Sequence, residues 1–183
     1  VNNIYGLTKN QTSPTTTQGH PSNTQPRGTF LPALNPLRAT LGVSNASFVA
    51  QTADWAPAHL AATLDAAYRH EGFSFVRILQ RCPVWMPKLF MEAAQDPSQT
   101  EILVHERGIR DPDVEAVYKT QIQHDPSDLC EAHDLAVDGS KVRLGLFYRD
   151  PDRPRYDEIR RLPMHTAEER IQILESEFDR HAV

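Results

Sequence analysis

The sequence predicts an α/β fold built on a parallel sheet, and three stretches carry that expectation. Phe48-Val49-Ala50 reads as a short buried strand. Leu60, Leu64, Ala67 and Tyr68 then recur at helical spacing. Phe73 to Leu79 follows as a second strand, rich in aromatic and β-branched residues. Strand, crossover helix and strand form a βαβ unit, whose strands run parallel. Ligands on such sheets collect at the carboxyl ends of the strands. Asn2 and Cys82 both stand at such ends, so function is expected there.

The other elements follow in order. Residues 8–35 carry Thr, Gln, Asn, Ser, Pro and Gly with almost no apolar side chain before Phe30-Leu31. Such a segment builds no apolar core, so it is expected to be disordered or held by a ligand or partner. Pro36 opens a short helical pattern through Leu41. Asp54 is the expected N-cap of the next helix, with Pro57 in its first turn, and Gly72 stops it near His70. Beyond Pro83-Val84-Trp85-Met86-Pro87 the pattern changes. Lys88–Gln95 reads as a short helix, Glu101–His105 as a short strand and Asp113–Gln123 as a further helix. Val142–Tyr148 alternates as a strand, broken by Asp150-Pro151-Asp152-Arg153-Pro154. Thr166-Ala167-Glu168-Glu169 has the spacing of a capping box. In the helix it opens, Ile171, Leu174 and Phe178 make one apolar stripe, expected to pack on the core.

Composition narrows the function. The 183 residues suffice for a sizeable core. A net charge of −5, from 19 basic and 24 acidic residues, argues against nucleic acid as the main partner. No apolar run reaches the roughly 18 residues of a membrane span. The N-terminus has no signal-peptide pattern; it lacks Met and opens inside a motif, as expected of the C-terminal piece of a longer protein. Cys82 and Cys130 belong to no Cys-x-x-Cys pair, which fits a reducing cytoplasm. The eight histidines show no metal-ligand spacing, and no nucleophile elbow surrounds Ser74 to make a triad with Asp54 and His59.

Two motifs carry chemistry. Val1 to Thr15 passes from a short apolar lead-in to two amides, a Tyr-Gly step and a run of hydroxyls. By composition it is a polar surface loop, and its oxygens equally suit a hard cation beside a phosphate. The order Asn2-x-Ile4-Tyr5-Gly6-Leu7-Thr8-Lys9-x-Gln11-x-Ser13-Pro14-Thr15 resembles the cofactor loop of the beta subunit of 2-oxoacid:ferredoxin oxidoreductases, the thiamine-diphosphate enzymes. Gly72 through Pro83, ending in Gln80-Arg81-Cys82-Pro83, is similar to that family's cluster-ligand strand. Gly145-Leu146-Phe147-Tyr148-Arg149 and Arg153-Pro154-Arg155-Tyr156 resemble its C-terminal segment.

The resemblance implies a fold, a division and a site. The fold would be the second half of a thiamine-diphosphate-binding parallel-sheet domain, over residues 1–82, followed by a C-terminal α+β extension over 83–183. Mg²⁺ would be held by the Asn2 side chain and the Ile4 backbone carbonyl, with Asn3 as the runner-up ligand. Its carboxylate would come from a Gly-Asp-Gly segment that this chain does not contain. Tyr5, Gly6, Leu7 and Thr8 would line the diphosphate. Lys9 reads either as a solvated loop lysine or as a cation handling coenzyme A or substrate. Position 10, usually Gly in the family, is Asn10, the other residue that best tolerates φ > 0, so the turn is expected to survive.

Cys82 reads by itself as a small buried hydrophobe. By resemblance it is the fourth thiolate of a [4Fe–4S] cluster, with Trp85 and Met86 as apolar cover and Cys130 structural. The implied reaction is oxidative decarboxylation of a 2-oxoacid to an acyl-coenzyme A with reduction of ferredoxin, inside a complex with an alpha or alpha–gamma subunit. This chain alone would be inactive. A cluster-free thiamine-dependent decarboxylase or synthase, and a truncated non-catalytic assembly module, are the rival expectations.

Overall fold

The computed structural model describes residues 3–137, 139–160 and 165–181. Contacts divide the chain into two compact units, residues 1–153 and 154–183.

The first unit begins with a two-stranded antiparallel hairpin, β1 (Ile4–Tyr5) and β2 (Gln11–Thr12). Residues 13–34 have no regular elements, yet they are folded. The Gly19 N–H donates to the Thr29 carbonyl at 2.9 Å, the Thr29 hydroxyl to the Thr17 carbonyl at 2.7 Å, and the Leu34 N–H to the Pro14 carbonyl at 2.8 Å. Ser13, Thr16, Ser22 and Thr29 are buried in this mesh. Disorder or outside support was the expectation; instead short hydroxyl side chains satisfy the backbone from within.

Helix α1 (Pro36–Leu41) is capped by Asn35, whose Oδ1 accepts from the N–H groups of Leu37 and Arg38. Strand β3 (Phe48–Ala53) follows and is buried at every residue. It runs past the expected three residues because tertiary partners satisfy its polar members. Gln51 Nε2 donates to the Arg143 carbonyl at 2.7 Å, and Thr52 Oγ1 lies 2.9 Å from His59 Nδ1. Helix α2 (Pro57–Arg69) begins after Ala56, not Asp54. Asp54 instead binds the Arg81 N–H and pairs with its guanidinium. The inward face of α2 is His59, Ala62, Thr63, Ala66 and the expected Ala67, while Leu64 and Tyr68 are exposed. Small and hydrogen-bonded side chains let the helix lie close to the sheet, and that displaces the expected Leu-rich face.

Strand β4 (Ser74–Leu79) pairs parallel with β3, completing the expected βαβ unit. Helix α3 (Met91–Gln95) starts only after Phe90, whose φ of 60° interrupts the turn before it. Strand β5 (Thr100–Val104) leads to helix α4 (Pro112–Val117), capped by Asp111. The helix expected over Asp113–Gln123 ends there, and Thr120–Gln123 is strand β6, drawn into parallel pairing with β5. Helix α5 (Leu129–Leu135), capped by Asp128, was not anticipated. Cys130 sits exposed in its first turn, so it is no buried structural thiol.

Strand β7 (Val142–Arg149) lies between the two strand pairs, antiparallel to β3 and parallel to β5, in a five-stranded sheet ordered β4-β3-β7-β5-β6. Three of its four ladders are parallel, in a mixed α/β fold. At the β3 seam the register shifts between Val49 and Ala50, so Phe147 and Tyr148 both enter the cluster under α1 and α5. Gly145 has φ of +139°, and a Cβ there would stand 2.7 Å from Leu103 Cβ, so only glycine fits. The second unit holds α6 (Tyr156–Ile159) and α7 (Ala167–His181). The capping box forms, with the Glu169 carboxylate on the Thr166 N–H and the Thr166 hydroxyl on the Glu169 N–H. Its apolar stripe, Ile171, Leu174 and Phe178, is exposed.

Burial holds His59 down to about 4, with Asp111 pulling weakly upward. Its folded value lies below the ordinary 6.5, so its contribution is whole above that pH and fades as pH falls toward 4. The unfolded chain takes the proton first, at a cost to stability of about 3 kcal/mol. Burial lowers His70 and His124 in the same sense. We expect the melting temperature to fall as pH drops from 6.5 toward 4. His59→Gln should melt lower near neutrality yet decline less steeply; an unchanged slope would refute the assignment.

Candidate functional site

The first motif is a tight turn on the β1–β2 hairpin. The Lys9 N–H donates to the Gly6 carbonyl at 3.0 Å, and the Thr8 hydroxyl to the Tyr5 carbonyl at 3.3 Å. Asn3, Lys9 and Asn10 have φ of 58°, 67° and 64°. The residue that replaces the usual glycine is thus in the left-handed region, as its chemistry allows. Lys9 shares that conformation, which nothing in its side chain foretold. From beneath, the Thr16 hydroxyl donates to the Asn3 carbonyl at 2.6 Å, and the Asn23 amide donates to the Lys9 carbonyl.

The hairpin sorts its residues by exposure. Ile4 is buried, while Tyr5, Leu7, Thr8 and Lys9 face solvent, Leu7 completely. Asn2 lies outside the described residues. Asn3 is buried, and its Oδ1 has no hydrogen-bond partner. An amide oxygen in that state suits a cation or a bound donor.

The second motif follows the carboxyl end of β4. Residues 82–86 close a small loop, in which the Met86 N–H donates to the Cys82 carbonyl at 3.1 Å and the Trp85 N–H points at Cys82 Sγ at 3.4 Å. Partial burial pushes the Cys82 thiol up, but the backbone N–H groups of Trp85, Met86 and Val84 outweigh it and hold the thiol below its ordinary value. A sulfur ringed by N–H groups is suited to bear negative charge as a thiolate ligand. Met86 is buried in this loop, whereas Trp85 is exposed.

The two motifs meet through Trp85. A Cβ added to Gly6 would lie 3.1 Å from Trp85 Cδ1 and 3.6 Å from Nε1, so the indole edge packs on the bare glycine. Among the described residues no three His, Cys, Asp or Glu side chains converge as a metal site.

A cavity of about 530 Å³ opens beside the hairpin, at the carboxyl ends of β3 and β4. Asn3, Gln51, Arg77 and Lys141 line it among others, whereas Tyr5 through Lys9 and Cys82 do not. The Gln51 amide nitrogen is spent on Arg143, leaving its Oε1 facing inward without a partner. Water is sufficient to satisfy a polar hollow of this kind. Sequence reasoning did not find Gln51, Thr16 or the Trp85–Gly6 contact, since each depends on residues distant in the chain.

The family described as the C-terminal part of the pyruvate ferredoxin oxidoreductase beta subunit matches residues 114–162. A 2-oxoacid:ferredoxin oxidoreductase subunit beta from Sulfolobus sp is 29% identical over 86% of this chain and 49% of that protein. The 2-oxoglutarate oxidoreductase subunit KorB of Mycobacterium tuberculosis is 34% identical over 56% of this chain and 27% of its own length. A solved 2-oxoglutarate:ferredoxin oxidoreductase from Magnetococcus marinus, with 2-oxoglutarate, coenzyme A and succinyl-CoA bound, superposes with a TM-score of 0.72. It is 31% identical, covering 95% of this chain and 55% of that one.

Fold and sequence together resemble those of oxidoreductase subunits. More particularly, the chain is similar to the C-terminal portion of the beta subunits of 2-oxoacid:ferredoxin oxidoreductases, as its two motifs led one to expect. It spans about half or less of the length of the curated relatives it matches.

The left-handed turn yields a test. Asn10→Gly should leave stability within about 0.5 kcal/mol, whereas Asn10→Val should cost about 1–2 kcal/mol by forcing a β-branched residue to positive φ. Chemical denaturation of the two variants measures both. Equal stability of the Val variant and the parent would rule out that backbone in solution.

Proposed function

We propose that the chain is part of the beta subunit of a 2-oxoacid:ferredoxin oxidoreductase, acting in the cytoplasm with an alpha or alpha–gamma subunit. Residues 1–82 then carry the second half of a thiamine-diphosphate-binding domain, and 83–183 its extension. The reaction is the oxidative decarboxylation of a 2-oxoacid to an acyl-coenzyme A, with electrons delivered to ferredoxin. The observation that supports this best is the meeting of the Tyr5–Asn10 turn and the Cys82 loop at Gly6 and Trp85. Two motifs that each resemble one family touch at one place in the fold.

Bound thiamine diphosphate supplies the electron sink for decarboxylation, and a [4Fe–4S] cluster supplies one-electron transfer. The residues present suit their share of both groups. Gly6 has no side chain to obstruct a phosphate, and Tyr5, Leu7 and Thr8 stand exposed around it, Thr8 offering a hydroxyl. Asn2 and the Ile4 carbonyl serve Mg²⁺, with the buried Asn3 oxygen as the second candidate amide. Lys9, exposed at the turn, meets the anionic groups of coenzyme A or substrate by charge. Cys82 gives one thiolate, steadied by the N–H groups around it.

The test is made on the complete beta subunit assembled anaerobically with its alpha partner. Ferredoxin reduction is followed with coenzyme A and either 2-oxoglutarate or pyruvate. Cys82→Ala should lose cluster iron and ferredoxin reduction together. A variant that keeps its full iron content would remove Cys82 from the ligand set and favour a cluster-free thiamine enzyme.

A further inference from the structure

Strands β7, β5 and β6 run parallel to one another, so their exit loops gather at one end of the sheet. Strand β3 is antiparallel to β7, which puts the carboxyl ends of β3 and β4, with the Cys82 loop, at the other end. Ligands on parallel strands collect at such exit loops. A cleft of about 190 Å³ opens there, lined by Arg107, Pro126, Ser127, Arg149 and Pro151. Residues from the exits of all three strands thus share one hollow. We propose that this cleft binds a phosphate group, free or carried on a small ester.

Charge decides the sign of the ligand. Arg107 Nη2 lies 3.4 Å from Asp125 Oδ1, in an ion pair whose two side chains are each more than half exposed. Arg153 is paired with Asp150 at 3.0 Å. Among the described residues no carboxylate pairs with Arg149, and its Nε is buried without a hydrogen-bond partner. A buried guanidinium N–H in that state is costly, and an oxyanion answers it with a charge-assisted bond. Asp125 offsets the charge of Arg107, so Arg149 supplies the main attraction and Arg107 the second arm. Planar guanidinium forks suit phosphate oxygens better than a point charge does. The volume falls below the roughly 300 Å³ of pockets that enclose a whole ligand, which fits a phosphate group alone.

The loops are held before any ligand arrives. The Arg149 N–H donates to the Pro126 carbonyl at 2.7 Å, tying the end of β7 to the β6 exit. The Ser127 N–H and hydroxyl both donate to Asp125 Oδ1, at 2.9 and 2.7 Å. The Gly108 N–H donates to the His105 carbonyl at 3.0 Å, closing the turn that carries Arg107. Pro126 and Pro151 fix φ at two points of the wall. Little order is left to lose on binding. The inference stands apart from the function proposed above, since none of these residues belongs to the cofactor-loop or Cys82 motif.

The experiment titrates inorganic phosphate into the full chain at constant ionic strength, so that general screening stays fixed. Amide NMR shifts follow it, because they locate the ion as well as measure its affinity. Saturable shifts are expected at Arg107, Ser127 and Arg149. Arg149→Gln should weaken binding at least about tenfold, and Arg107→Gln about threefold. Asp125→Asn should tighten it about threefold, since the offsetting charge goes while the shape stays. Damage to folding does not produce such a gain, so this variant decides the matter should Arg149→Gln fail to fold. Glycerol 3-phosphate is the second probe. Tighter binding of the ester than of the free ion assigns the cleft to the phosphoryl end of a larger molecule, and the reverse assigns it to phosphate itself. No saturable shift up to about 10 mM phosphate overturns the proposal. Shifts confined to the Gly6–Lys9 turn, or an affinity unchanged in both Arg149→Gln and Asp125→Asn, overturn it equally.

Discussion

The burial of β3 on both faces is the constraint on which the remaining structure depends. Six consecutive residues lie out of water, with α2 against one face and α1 against the other. Its backbone must be paired along both edges, and it is, by β4 in parallel and β7 antiparallel. The Gln51 amide nitrogen is answered by β7, remote in sequence, and the Thr52 hydroxyl by the adjoining α2. An unanswered polar group in such a place costs about 1–3 kcal/mol, so these bonds also fix where α2 and β7 sit.

From that strand the site follows by geometry. β3 and β4 end together, and the Cys82 loop leaves β4 at that end. The amino-terminal hairpin has no apolar layer of its own beyond Ile4, so hydroxyls and amides secure it. Thr16 and Asn23 bind the backbone of the turn from behind, which leaves Leu7, Thr8 and Lys9 outward. A chemical surface is exposed here because its support is polar and lies on one side.

Much of the fold was legible in the sequence where signals were local. Pro36 and Pro57 marked helix starts, Phe73 to Leu79 announced a strand, and Thr166 to Glu169 spelled out a cap. Reading failed where distant partners decide. Thr120–Gln123 continues a helical pattern until β5 claims it as a strand. Leu64 and Tyr68 suggested a buried face that the sheet allots to His59, Thr63 and three alanines. The candidate site was legible as two motifs in order, because loop chemistry is written in consecutive residues. Their contact through Gly6 and Trp85 was not, since a glycine records only that something may approach, never what does.

The seam between β3 and β7 has a consequence for how the chain can be divided. The change of motif at residue 82 separates two stretches of sequence, but the sheet is sewn across it, with β7 from the later stretch filling the edge of β3. Cut there, the earlier stretch would present a bare, apolar strand edge, the feature that recruits other chains into aggregates. Folding thus ignores a border at residue 82, and a shortened version of this polypeptide that ends at the motif would be expected to precipitate rather than to stand alone.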